Sequence, residues 1–131
     1  MPDLASHTNQ AKRNCDFLGQ CKSKQDIRTS FPEWYITIQF YACLHIVEAI
    51  FAITDEHYDK HTTRNQLLWF RKKEFDTDFA AKYNDLFNLS HRARYLNDRK
   101  KQISPGDLQS CDDHFSYIIG YAKLKHKISI E

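Results

Sequence analysis

Residues 31–54, FPEWYITIQFYACLHIVEAIFAIT, decide the fold of this chain. Phe31-Pro32 opens a helix with proline in its first turn, where the missing N–H is harmless. Ile36, Phe40, Cys43, Val47 and Ile50 line one side of that helix, while Ala42, Ile46, Ala49 and Ile53 line another. A helix apolar around nearly its whole circumference is either central or covered by a second subunit. The run is broken by Gln39, Tyr41, His45 and Glu48, too polar for a membrane span of about 20 apolar residues.

The rest of the 131 residues fits around it. Three glycines and three prolines are too few for the turns of a β-sandwich or barrel, and the length suits one compact domain, residues 1–131. Leu4, Thr8, Ala11, Cys15 and Leu18 place a modest apolar stripe on a peripheral first helix from about Pro2 to Lys24. Asp26 to Ser30 reads as a connection, and Asp55 to Lys60 as a polar loop. A short helix follows from His61 or Thr62 to Lys73. Another starts at Asp76-Thr77-Asp78, with Phe79, Tyr83, Leu86, Ser90 and Ala93 facing inward. Leu96 to Ile103 is a basic connection, and Ser104-Pro105-Gly106-Asp107 then caps a last helix that runs to about Lys127. The expectation is all-α: an up-and-down bundle of four long helices plus one short helix.

Nineteen Lys and Arg against seventeen Asp and Glu leave a net charge of +2, so any nucleic-acid site must come from local clustering. Cys15, Cys21, Cys43 and Cys111 form no CxxC pair, which speaks against a zinc site or a disulfide framework. His57 and His61 have HxxxH spacing, but the loop placement and the lack of an acid at ligand spacing leave the expectation at no metal and no cofactor. The polar N-terminus lacks an apolar signal core, so a cytoplasmic protein is expected. Phosphate-cradling glycine loops, GxSxG, HExxH and EF-hand motifs are absent, which removes ATP-dependent and zinc-hydrolase chemistry of those types.

Three groups could carry chemistry. Tyr41, His45 and Glu48 share one helix face, either as a structural polar network or as a base with its orienting carboxylate. His61, Arg64 and Asn65 fall on one side of a first helical turn, either an ordinary solvated helix start or an arrangement suited to phosphate. Ser90, Arg92, Arg94 and Tyr95, followed by Arg99, Lys100 and Lys101, are either a solvated face whose cations complement a helix C-terminus or a group of cations with a stacking ring suited to RNA. Arg94 wants a carboxylate or phosphate partner, and Glu48 is the candidate carboxylate.

The ordered segments Trp34 to Ala49, His61-Thr62-Thr63-Arg64-Asn65 and Tyr83 to Tyr95 resemble those of small prokaryotic HEPN-domain proteins. The resemblance implies a helical bundle that often pairs as a homodimer and serves toxin–antitoxin, CRISPR or antiviral defence systems. Many members are metal-independent ribonucleases or RNA-binding modules. Their catalytic pair is an Arg followed, after four to six residues, by a His, and no arginine here has a histidine at that spacing. The expectation is therefore an RNA- or nucleotide-binding module acting as a dimer or with a defence-system partner, away from membranes. The alternative is an endoribonuclease in which His45 or His61 deprotonates a ribose hydroxyl and Arg64 or Arg94 stabilises phosphoryl charge.

Overall fold

A computed structural model describes residues 3–22, 26–95 and 103–130, with the backbone alone at 18–22 and 26. It is an all-helical bundle with six helices: α1 Leu4–Lys22, α2 Asp26–Ser30, α3 Pro32–Ala52, α4 His61–Phe70, α5 Thr77–Arg94 and α6 Pro105–His126. Four are long and two short, one short helix more than expected, because 26–30 coils into a turn in which the Phe31 amide donates to the Ile27 carbonyl at 2.9 Å.

The apolar circumference of α3 is covered within the chain. Helices α1, α2, α5 and α6 all pack on it, so it is the central helix. Among the described residues it is the one helix long and apolar enough to cross a membrane, but 72% of its most apolar window is buried inside the bundle. Tyr35, Ile36, Phe40, Cys43, Val47 and Phe51 form the middle of a core to which α5 adds Phe79, Tyr83 and Leu86 and α6 adds Cys111 and Ile118. Each is 2% exposed or less, and burying such side chains supplies about 1.5–3 kcal/mol apiece.

Local chemistry sets the helix ends. Asp3 accepts the Ser6 amide at 2.8 Å, so α1 starts at Leu4 rather than Pro2. Its inward residues are His7 and Ala11, while Leu4, expected to face the core, is exposed. α3 unwinds after Ala52, two residues early, into a turn where Asp55 has φ 58. α4 stops at Phe70 instead of Lys73, and Arg71 beyond it forms a two-nitrogen pair with Glu56. Asp76 caps α5 by accepting the Phe79 amide at 2.6 Å. The inward stripe of α5, Phe79 to Ala93, is buried as its spacing predicts. α6 begins with a full capping box between Ser104 and Asp107. The connection at 96–102, with Arg99, Lys100 and Lys101, lies outside the described residues.

Side chains of α6 also shape the glycine-free turn between α4 and α5. Tyr121 accepts the Asp76 amide at 3.0 Å and donates to the Glu74 carbonyl at 3.1 Å, and His126 Nε2 donates to that carbonyl at 2.7 Å. Tyr117 donates to the Asp76 carboxylate at 2.9 Å.

Lys127 ends α6 in the left-handed conformation, φ 59 and ψ 31, and turns Ile128 and Ile130 back into the core. A side chain with a Cβ pays for that conformation. Lys127→Gly is expected to raise unfolding free energy by about 0.5–1 kcal/mol, read as a higher urea midpoint. A lower midpoint would contradict the strain.

Candidate functional site

His45 and Glu48 of α3 point to the side where α1, the 53–60 loop and α4 converge, whereas Tyr41 faces Arg94 of α5 and Gln39 faces Asp112 of α6. Glu48 is 1% exposed and Arg64 is 4% exposed. Arg64 Nε donates to Glu48 Oε1 at 2.6 Å, one terminal nitrogen donates to the Tyr58 carbonyl, and the other lies 3.1 Å from His61 Nδ1. The Tyr58 amide donates to Glu48 Oε2 at 3.3 Å, and His57 Nδ1 lies 3.2 Å from the same oxygen. The partner of Glu48 is therefore Arg64, not Arg94. Arg64 reaches inward from the first turn of α4, spending its fork on the protein's own groups instead of on a ligand.

As a base with its orienting carboxylate, His45 would pair with Glu48. It pairs instead with His7 of α1, Nδ1 to Nδ1 at 2.9 Å, and the His7 ring lies 5.6 Å from that of His57. Burial pushes the His45 imidazole down to about 4, reinforced by His7 and only partly opposed by Glu48. Burial likewise lowers His7, and it lowers His61, where the Arg64 charge adds to the effect.

Tautomer follows from the Arg64 contact. A guanidinium only donates, so His61 Nδ1 must accept, and the neutral ring then carries its hydrogen on Nε2. A general base facing a ligand through Nε2 would need the opposite tautomer.

The second group lies at the C-terminal end of α5. Arg94 donates to the Tyr41 hydroxyl at 2.8 Å and to the Ser90 carbonyl at 3.2 Å, with the Ser90 hydroxyl at 3.4 Å. Its guanidinium carbon lies 5.4 Å from the Tyr41 ring centre and 5.6 Å from that of Tyr95. Rings connect the two groups: His61 is 5.2 Å from Phe87, Phe87 is 6.2 Å from His91, and His91 is 4.8 Å from Tyr95. The structure thus brings His61, Tyr41, Ser90, Arg94 and Tyr95 into one neighbourhood, and Tyr95 is 62% exposed. Arg92 stands apart, paired with Asp107 at 2.7 Å. Asn65 is half-buried, and its side-chain oxygen has no hydrogen-bond partner among the described residues.

Two residues of this region carried no useful signal in the sequence. His7 sits on a helix whose stripe is only modestly apolar, and the acid beside His57, Glu48, comes from another element. A cleft of about 560 Å³ opens elsewhere between α3 and α6, beside Gln39, Asp112 and Lys123. The Asp112 carboxylate there is already engaged by Arg28, Tyr35 and Gln39.

Removing one partner of a buried pair strands the other's charge. Arg64→Ala is expected to cost about 3–5 kcal/mol in urea denaturation. Arg94→Ala, which breaks bonds to neutral groups only, should cost about 1 kcal/mol. Equal midpoints for the two variants would contradict the support assigned to the pair. Acid should weaken the fold as well. The lowered histidines bind protons in the unfolded chain first, so stability present above pH 6.5 is lost as pH falls toward 4. In EDTA, His45 alone should contribute a loss of about 2 kcal/mol between pH 7.5 and 5. A midpoint flat across that window would refute the neutral cluster. No protein-family model matches the chain, and no curated protein matches it.

Proposed function

We propose that the protein is a HEPN-like RNA- or nucleotide-binding module of a prokaryotic defence or toxin–antitoxin system, an up-and-down bundle acting as a dimer or within a larger complex. The observation that carries this reading is Arg94. Among the described residues it has no carboxylate partner, although Tyr41 and Ser90 hold it in place beside the exposed rings of His91 and Tyr95. A fixed, uncompensated cation next to stacking surfaces suits a phosphate with its attached base. His61, a neutral ring with its hydrogen on Nε2, adds a donor to the same neighbourhood. Three further cations, Arg99, Lys100 and Lys101, follow Tyr95 closely in the chain.

Binding is favoured over RNA cleavage by four facts. The Arg-to-His spacing of catalytic HEPN domains is missing, and His61 is in the wrong tautomer to take a proton through Nε2. His45 spends one nitrogen on His7. Arg64, the other residue assigned to charge stabilisation, is committed to Glu48.

The test is fluorescence anisotropy with a labelled single-stranded RNA in EDTA, between about 50 and 200 mM salt. Wild-type binding should weaken steeply with salt, and Arg94→Ala and Tyr95→Ala should each weaken it by roughly tenfold, in line with about 1–3 kcal/mol per stacked base. Absence of binding, or a folded Arg94→Ala variant that binds like wild type, would overturn the proposal. Electrophoresis of the same RNA reads the alternative: cleavage in EDTA that His61→Ala abolishes would make the protein a ribonuclease.

A further inference from the structure

We propose that His7, Glu48 and His57 form a site for a zinc-class divalent transition ion that fastens α1 and the 53–60 loop to α3. The inference is independent of the RNA-binding proposal and uses residues outside the Arg94 neighbourhood. One donor atom from each of the three lies within 4.8 Å of the others. Two imidazole nitrogens and a carboxylate oxygen are a donor set that suits zinc, whose fourth position is then left to water or another ligand.

The spacing is close to what the ion needs. Tetrahedral bonds of about 2.1 Å place donor atoms roughly 3.4 Å apart. His57 Nδ1 and Glu48 Oε2 are already 3.2 Å apart, so small rotations, chiefly of His7, complete the set. His7 is 5% exposed, and its Nε2 is buried with no hydrogen-bond partner among the described residues. His57 Nδ1 likewise makes no hydrogen bond among the described residues, and the Glu48 carboxylate lies beside it. A buried nitrogen left without a partner is destabilising, and a cation accepting its lone pair removes that penalty.

Neighbouring groups also orient the ligands. His7 Nδ1 is held by His45 at 2.9 Å, and His57 Nε2 by the Asp59 carboxylate at 2.7 Å. Ligating histidines are characteristically anchored through the second ring nitrogen in this way. Arg64 binds Glu48 Oε1 and leaves Oε2 facing His57. Its positive charge opposes a cation, and Asp59 offsets it only from an exposed position, so the affinity expected is micromolar. His57 is 19% exposed, which gives the ion a route in and gives a fourth ligand room. The three ligands come from a helix at the start of the chain, the central helix and the loop that follows it, so bound metal ties together elements distant in sequence.

The experiment uses untagged, EDTA-stripped protein titrated with zinc chloride by calorimetry, with cobalt(II) absorption reporting the geometry. The expected result is one zinc per chain, a higher Tm, and tetrahedral cobalt bands. Binding should weaken at least tenfold in His57→Ala and in His7→Ala and remain unchanged in His114→Ala, a histidine of α6 that lies beside Asp85 of α5 instead. His57 lies in a loop and is partly exposed, so His57→Ala decides the matter even where His7→Ala fails to fold. No saturable binding by the wild type, or wild-type affinity in folded His57→Ala, would overturn the site.

Discussion

The ion pair between Glu48 and Arg64 is the constraint around which this side of the bundle is arranged. Both charges are almost fully removed from water, an expensive arrangement unless every remaining donor and acceptor finds a partner. The surroundings supply those partners. The 53–60 loop turns back so that the Tyr58 amide and carbonyl meet the two side chains, and α4 starts where Arg64 can reach the centre. His61, one turn away on α4, receives the last arm of the guanidinium and with it a defined tautomer. The ionic contact thus positions an element, a loop and a ring at once. Such a pair adds little net stability compared with apolar residues of the same volume; its effect is to specify one arrangement.

The parts of this architecture that were legible in the sequence are those governed by neighbours along the chain. The capping box at Ser104 and Asp107, the inward face of α5 and the central place of α3 follow from spacing and composition alone. So does the length of the last helix, to within a residue. The helix ends at Ala52 and Phe70 carry no local mark, because Ile53 continues the apolar pattern of α3 and Arg71 to Lys73 are good helix formers; the Arg71–Glu56 contact joins the segments just beyond the two ends.

Pairing across elements was the part that local pattern does not encode. Two arginines, 64 and 94, were available for one carboxylate, and periodicity placed both on plausible faces. What separates them is depth: Arg64 reaches the centre of the bundle, whereas Arg94 stays at the end of α5 among Tyr41, Ser90 and Tyr95. His7 is hidden for a related reason. A histidine among polar residues on a first helix looks solvated until the small Ala11 lets α1 lie close against α3, which brings His7 to His45.

The turn between α4 and α5 takes its shape from partners 41 to 52 residues further along the chain, through Tyr117, Tyr121 and His126. The junction and α6 are therefore coupled: a substitution near the end of α6 strips the Glu74 carbonyl and Asp76 of their tyrosine and histidine partners, and so is felt at the start of α5.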